Sequence, residues 1–330
     1  MAAANMKAVK LRIKSVQNTM QITKAMQLVA VSKLRKAKEL ADNCKPYLTI
    51  LRDTLTTISI GNTDFQSPYT KESDNSKWLY IVIAGDRGLA GGYNANMFRF
   101  VEKEIQGRDY AILPMGKKSL EYFRGKNAEI FTDEFDEVAR VSVSDCFELS
   151  RMICDAYKKG EFGHVLMCYT NFENMLSQTP SAVSMLPLSD FAVRKKQEDE
   201  AVATEENGKT SKDSGHSHKA KKAKKPELAP EYDTSMQEEE RRRFHQILYE
   251  PGSEEVFNTV VPEYLAGILY ASVNISVASE LAARRMAMES ATDNAEEMIE
   301  QLTLYYNRAR QSSITQEITE IVAGAEGGGK

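Results

Sequence analysis

The C-terminal part of the chain carries one long apolar repeat, whose register slips by one at Arg285 and resumes at Met288. Its apolar positions are separated alternately by four and by three residues and therefore form one seam along a helix. The seam residues are Phe257, Val261, Tyr264, Ile268, Ala271, Ile275, Ala278 and Ala282. A seam with a seven-residue period predicts a helix that supercoils around a second helix. Because neither proline nor glycine occurs between Gly267 and Gly324, we predict one helix over residues 253–323, roughly 100 Å long at 1.5 Å per residue. Such a helix is too long for a compact globular domain.

The N-terminal part carries a matching repeat. Its apolar positions include Ala37, Ala41, Cys44, Leu48, Leu51, Leu55 and Ile58. They predict a helix over residues 4–58, roughly 80 Å long, with a kink at Pro46 because proline removes one backbone hydrogen bond. No other segment is long enough to pair with the last helix, so we expect the two helices to pair with each other in antiparallel orientation. The residues predicted to form their seam are Leu48, Leu51, Leu55, Phe257, Val261, Ile268 and Ile275.

The middle of the chain has a different pattern, in which short apolar runs alternate with helical stretches. The runs at 79–84, 110–114 and 164–170 have the length of strands, and the helices are expected at 94–105, 117–124 and 144–159. This alternation predicts a small Rossmann-like α/β domain with a mainly parallel sheet. The predicted fold class is therefore α+β, with a long antiparallel coiled coil of the N- and C-terminal helices and a small α/β domain.

The same patterns predict where the domains begin and end. Residues 1–60 and 250–323 are expected to be the coiled-coil helices, residues 78–192 the α/β domain and residues 324–330 a disordered tail. Residues 193–245 hold 13 basic and 12 acidic side chains and few aliphatic ones. This composition predicts a flexible polar insertion without a core of its own.

Charge is distributed unevenly along the chain. The whole sequence has 43 basic and 47 acidic residues, a net charge of −4, which argues against a polycation that binds nucleic acid. Residues 1–40 hold nine basic residues and one acidic residue, a net charge of +8, so we expect the first helix to meet an acidic partner. Four cysteines without a CxxC pair favour free thiols in a reducing compartment. With no apolar run near the roughly 18 residues of a membrane span, we expect a cytoplasmic protein that starts as a mature chain.

One glycine-rich loop, residues 84–94, is a candidate for nucleotide chemistry. It follows a predicted strand and precedes a predicted helix, where backbone N–H groups can hold phosphate. Its spacing matches neither GxGxxG nor GxxxxGK[ST], so a tight turn that packs against a partner is the alternative interpretation. No constellation of catalytic residues, metal ligands or cofactor-binding residues can be assembled from the sequence. A mechanical or scaffolding role is therefore expected.

Three separated stretches resemble the γ subunit of F-type ATP synthases. The first runs from Arg12 to Met26 and the second from Asp86 to Asn94. The third comprises Ser279-Glu280, Ala282-Ala283-Arg284, Ala291-Thr292-Asp293-Asn294-Ala295, Tyr306-Asn307-Arg308-Ala309-Arg310-Gln311 and Ile314-Thr315-Gln316-Glu317-Ile318. The resemblance is to the bacterial type, with an enlarged loop insertion.

This resemblance implies a non-catalytic rotor subunit without a cofactor or a metal ion. In the family, the paired helices stand inside a ring of three α and three β subunits, and the α/β domain lies outside the ring. The lower end contacts the c-subunit ring of the membrane sector and carries the ε subunit. Rotation of the shaft couples ion flow to ATP synthesis or hydrolysis at the β subunits. The implied location is the cytoplasmic face of the plasma membrane, with membrane contact only through the complex.

The resemblance also implies which residues contact the β subunits. Those near the end of the last helix are Arg310, Gln311 and Thr315, with Arg284 earlier in the same helix. A basic collar that faces acidic β loops comprises Lys24, Lys33, Arg35 and Arg87. An isolated charge of this kind is more often simply solvated, because exposed ion pairs stabilise little.

Two other functions are compatible with the residues alone. One is a coiled-coil tether or adaptor with an α/β head. The other is a nucleotide-binding α/β enzyme whose site is the loop at residues 85–92. Hydrolysis or bound nucleotide in the isolated chain would favour the enzyme, and a stable dimer would favour the tether.

Overall fold

The computed structural model describes residues 2–60, 66–71, 73, 75–135, 137–188 and 248–327. The predicted insertion at 193–245 lies outside these residues. In chain order the elements are α1 (Ala2–Ile60), β1 (Trp78–Ile83), α2 (Tyr93–Glu104), β2 (Tyr110–Met115), α3 (Lys117–Gly125), α4 (Val143–Lys158), β3 (His164–Phe172), β4 (Gln178–Leu186) and α5 (Ser253–Gly327), with a 3₁₀ turn at Val138–Arg140.

Both long helices are present and extend slightly beyond their predicted limits. Helix α1 has 59 residues and continues through Pro46, and α5 has 75 residues and continues through Pro262. Helix α5 also continues through Gly324. The prediction of a disordered tail was therefore wrong for residues 324–327, which are helical. A single glycine costs a helix only about 1 kcal/mol relative to alanine, too little to end it here.

The chain divides into two compact units. The first comprises residues 1–33, 89–91 and 281–330, and the second comprises residues 34–88 and 92–280. In the first unit, the side-chain oxygens of Thr23 in α1 and Thr292 in α5 lie 2.8 Å apart. In the second unit, a Cβ added to Gly267 of α5 would lie 2.9 Å from Leu48 Cδ2 of α1. Helices α1 and α5 therefore contact each other within each unit.

The second unit contains a four-stranded sheet with the order β2-β1-β3-β4. Strand β1 pairs in parallel with both β2 and β3, and β4 adds to β3 in antiparallel orientation. Successive side chains of a strand point to opposite faces. Leu79, Ile81 and Ile83 accordingly belong to one core, and Tyr80 and Val82 belong to another.

These two cores place the sheet between layers of helix. The larger core includes residues of α4 and of both long helices, among them Ile153, Leu55 and Leu265. The smaller core includes Phe98 of α2 and Phe123 of α3. One face of the sheet is therefore covered by α4 and the long helix pair, and the other by α2 and α3.

The predicted fold class is confirmed, and one strand was missed. The three predicted strands and three short helices of the domain are all present within a few residues of their expected bounds. Strand β4 was not predicted because its sequence, Gln-Thr-Pro-Ser-Ala-Val-Ser-Met-Leu, contains a proline and mixes polar with small residues. Proline is confined to edge strands or bulges, and β4 is an edge strand of this sheet.

Helix α5 is apolar enough to resemble a membrane span. Within the described part of the chain, an 18-residue window between Ser253 and Thr319 reaches a mean hydropathy of 1.4, although no such run was expected from the sequence. Of that window, 72% is buried inside the protein. The high hydropathy is explained by a core helix that packs against other elements on most sides.

Candidate interaction surfaces

The predicted seam residues lie together in the core of the second unit. Five of the seven are buried, and Leu51 and Ile275 are half-buried against the same core. The buried ones are Leu48, Leu55, Phe257, Val261 and Ile268. Gly267 faces the side chains of Tyr47 and Leu48, so the absence of a side chain at this position lets α5 approach α1 closely.

The residues of the predicted basic collar are all exposed. Lys24, Lys33 and Arg35 project from α1, and Arg87 lies in the glycine-rich loop. Among the residues that the structure describes, none of these four side chains forms an ion pair. These side chains are therefore open to an acidic surface, although the charge of Arg87 also acts on the nearby carboxylate of Glu137.

An exposed apolar set in the first unit was not predicted. In α1 it includes Ile22, Leu28 and Val29, which are 59%, 67% and 55% exposed. In α5 it includes Leu304, Tyr305, Ile314, Ile318 and Ile321. Exposed apolar patches of this kind mark interaction sites. The sequence did contain a signal, because all of these residues except Tyr305 are apolar positions outside the four-three seam.

The predicted contact residues near the end of α5 lie among these apolar side chains. Arg310, Gln311 and Thr315 are exposed. Arg310, Ile314 and Ile318 follow one another at four-residue spacing, which places them on one face of the helix. The Thr315 hydroxyl donates to the Gln311 carbonyl at 2.9 Å, so its oxygen is left as an acceptor for a partner. Arg284, earlier in α5, is half-buried.

The glycine-rich loop is tied to its neighbours by polar side chains. The Gly85 amide donates to Asn94 Oδ1 at 2.9 Å, and a Cβ added to Gly85 would lie 2.7 Å from Glu280 Oε1 of α5. The Asp86 carboxylate accepts from the amides of Val138 and Ala139 at 3.0 and 3.1 Å. One carboxylate therefore belongs to the loop and a second lies beside it, and both would repel a phosphate group. This geometry favours the docked turn over the nucleotide site.

The four cysteines are free thiols, and burial raises the pKa of each. Cys44 is half-buried, and the other three are buried. Burial, with smaller contributions from Asp145 and Cys44, raises the pKa of Cys146 to about 12. Burial raises the pKa of Cys154 to about 11, and the pKa of Cys168 lies higher still for the same reason. Thiols of this kind behave as small apolar core residues rather than as nucleophiles.

Comparison with known proteins covers nearly the whole chain. A protein-family model described as ATP synthase matches residues 5–327. The chain is 39% identical over 324 residues to the ATP synthase gamma chain of Ruminococcus albus, with 96% of each chain covered. It is 36% identical over 325 residues to the sodium ion specific ATP synthase gamma chain of Acetobacterium woodii, which covers 98% of this chain and 99% of that one.

Solved structures show the same architecture. A chain of the Euglena gracilis mitochondrial ATP synthase, from a structure of OSCP, F1 and c-ring in rotational state 3, matches with a TM-score of 0.59. The two are 18% identical, and the match covers 98% of this chain and 95% of that chain. A central stalk chain of the Tetrahymena thermophila mitochondrial ATP synthase matches with a TM-score of 0.51 at 19% identity, covering 82% of this chain and 99% of that chain. At these identities the structural matches support the fold alone.

Proposed function

This chain belongs to the family of ATP synthase gamma chains, and on that premise we propose that it is the central-stalk rotor of an F-type ATP synthase. The observation that carries the proposal is the 39% identity to a gamma chain over 96% of both chains. The gamma chain is a non-catalytic subunit, and the reaction takes place at the β subunits. The work of this chain is to couple those sites to ion flow through the membrane sector.

The paired helices supply what a rotor needs. Two helices with a common apolar seam resist bending and twisting better than one helix does. An asymmetric shaft in a ring of three α and three β subunits contacts each β subunit differently. At any angle, the three catalytic sites therefore have different stabilities for their open, ADP-bound and ATP-bound forms, and rotation exchanges these stabilities among the sites.

The exposed residues of the helix pair are proposed to contact the ring. The basic collar of Lys24, Lys33, Arg35 and Arg87 meets acidic β segments, since its charges are exposed and have no ion-pair partner in the described chain. Such charge complementarity guides assembly more than it sets affinity. Arg310, Gln311 and Thr315 contact a β loop with the adjoining Ile314 and Ile318, and Arg284 does so earlier in α5.

The remaining partners follow from the same assignment. The α/β domain and the nearby parts of the helix pair carry the ε subunit and rest on the c-subunit ring. The proposed location is the cytoplasmic face of the plasma membrane, with membrane contact through the complex alone. Fractionation of cells should place the chain with the membranes, and a chaotropic wash should release it together with α and β subunits.

Reconstitution tests the function. The chain is expressed with α and β subunits, and the purified complex should contain one copy per three α and three β subunits and hydrolyse ATP. The isolated chain should neither hydrolyse ATP nor retain nucleotide. Hydrolysis by the isolated chain would contradict the proposal, and so would failure of the chain to enter a complex with α and β subunits from the same source.

A further inference from the structure

We infer that Ser276 and Ser279 of α5 replace a missing neighbouring strand at the end of β3, and that this serine clamp fixes the α/β domain to the rotor helix. The Thr170 amide donates to Ser276 Oγ at 3.3 Å, and Ser279 Oγ donates to the Thr170 carbonyl at 3.0 Å. Two side chains of one helix thus bond both backbone groups of a single strand residue. The three residues are buried, with Ser276 and Ser279 fully enclosed.

The sheet leaves these two backbone groups of Thr170 without a strand partner. On one side of β3, pairing with β1 ends at Val82 and Cys168. On the other side, Thr170 lies opposite Pro180 of β4, and proline has no amide hydrogen to donate. In an antiparallel pair, the N–H and C=O of one residue point to the same side. Since both groups of Thr170 bond to α5, they point away from β4, and Pro180 costs the sheet no hydrogen bond.

A second element joins the helix at the same turn. The Tyr93 hydroxyl, at the start of α2, donates to the Ser276 carbonyl at 3.1 Å, and both groups are buried. Burial raises the pKa of the Tyr93 hydroxyl, which keeps it protonated and able to donate. One turn later, Glu280 lies against Gly85 of the glycine-rich loop. Residues 276–280 therefore bond the end of β3 and the start of α2 and lie against the loop that carries Arg87.

The two hydrogen bonds to Thr170 fix the orientation of α5 relative to β3, which apolar packing alone does less strictly. Apolar contact is non-directional and tolerates sliding of one surface over another. When a strand residue is bonded through both its N–H and its C=O, rotation or translation of the helix weakens or breaks at least one of the two bonds. The clamp therefore adds a directional attachment to the apolar core that already joins the α/β domain to α5, and Ser276 and Ser279 are positioning residues for rotation. This last step rests on the proposed rotor function.

Hydrogen exchange in the assembled complex tests the clamp itself. Ser276→Ala removes the acceptor for the Thr170 amide, so exchange of that amide should become at least about tenfold faster, while amides in α4 keep their rates. Ser279→Ala removes the donor to the carbonyl and should change the Thr170 amide less. Alanine preserves the helix, and Ser290→Ala, at an exposed serine of the same helix, is the matched control. An unchanged Thr170 rate in Ser276→Ala would overturn the inference.

The number of ions transported per ATP hydrolysed tests the role of the serine clamp in rotation. In membrane vesicles, the complex carrying Ser276→Ala with Ser279→Ala should hydrolyse ATP at the rate of the unaltered complex but transport fewer ions per ATP, whereas Ser290→Ala should keep the normal ratio. A normal ratio in the double variant would overturn the positioning role. If complexes with the unaltered chain hydrolyse ATP without transporting ions, the proposed function fails. The clamp can still be judged in that case, because the exchange measurement does not depend on ion transport.

Discussion

The side-chain oxygens of Thr23 and Thr292 lie 2.8 Å apart between α1 and α5, and both residues are buried. Each hydroxyl also lies within hydrogen-bond distance of a carbonyl of its own helix, Met20 for Thr23 and Met288 for Thr292. Since a hydroxyl has one hydrogen, only one of the two donates across the pair at a time. A shift of either helix by one turn would bury both hydroxyls against other side chains, so this polar pair favours a single register.

A double-mutant cycle measures this contact. Thr23→Val and Thr292→Val should each destabilise the chain by about 1 kcal/mol, because each removes the hydrogen bond between the helices and leaves the other hydroxyl only the carbonyl of its own helix. The double variant should lose less than the sum, by about 0.5–1 kcal/mol, since it leaves no hydroxyl behind. Urea unfolding of the full chain, followed by circular dichroism, gives the four stabilities. Strictly additive losses would contradict the contact, and Thr19→Val, at an exposed threonine of α1, should be nearly neutral.

The seam predicts a large difference between two isoleucines. Ile268 of α5 is 8% exposed, whereas Ile50 of α1 is 64% exposed. Ile268→Asp places a charge without a partner in the core and should destabilise the chain by several kcal/mol, or force the carboxyl to stay protonated. Ile50→Asp adds the same charge in water and should change stability by less than about 1 kcal/mol. Thermal unfolding of the assembled complex measures both effects. Equal unfolding temperatures for the two variants would contradict the predicted seam.

How much the sequence could predict depended on whether a residue's partners were close along the chain. The four-three spacing of residues such as Leu48, Leu55 and Val261 predicted two paired helices because a seven-residue apolar period is typical of helices that supercoil. Strand β4 was not predicted because it contains Pro180. Proline is acceptable in a strand only where no acceptor faces its nitrogen, and here this condition is met because the backbone groups of Thr170 bond to α5 instead of β4. The surroundings of the glycine-rich loop also could not be predicted, because Glu280 lies close to Gly85 in the structure but is remote from it in sequence.

The buried cysteines should show an unusual pH dependence of alkylation. Burial raises the pKa of Cys146 to about 12 and of Cys154 to about 11, above the ordinary value. Only the thiolate reacts, so the rate for both thiols in the assembled complex should keep rising about tenfold per pH unit from about pH 8 to about pH 10. In the urea-unfolded chain, the rates should level off near the ordinary thiol pKa. The rates are measured by mass spectrometry of iodoacetamide adducts. A rate that reaches a plateau near pH 9 in the folded complex would contradict the raised pKa values.

The end of α5 should affect turnover without affecting nucleotide binding. Replacement of Arg310 and Gln311 by alanine removes the proposed hydrogen bonds to a β loop and should lower ATP turnover of the complex several-fold. Nucleotide binding by the β subunits should persist, because those sites lie in other chains. Arg308→Ala removes an exposed charge from the same turn of α5 and should leave turnover near that of the unaltered complex. Unaltered turnover in the Arg310 and Gln311 double variant would remove both residues from the proposed contact.

Rotation itself is the most direct test that this chain is a rotor. Leu176, in the hairpin between β3 and β4, is 78% exposed, so Leu176→Cys offers a site for a visible probe. With the α and β subunits fixed to a surface and ATP supplied, the probe should turn in one direction and pause at three equally spaced angles, one for each β subunit. A probe that keeps a fixed angle while the complex hydrolyses ATP would contradict the account.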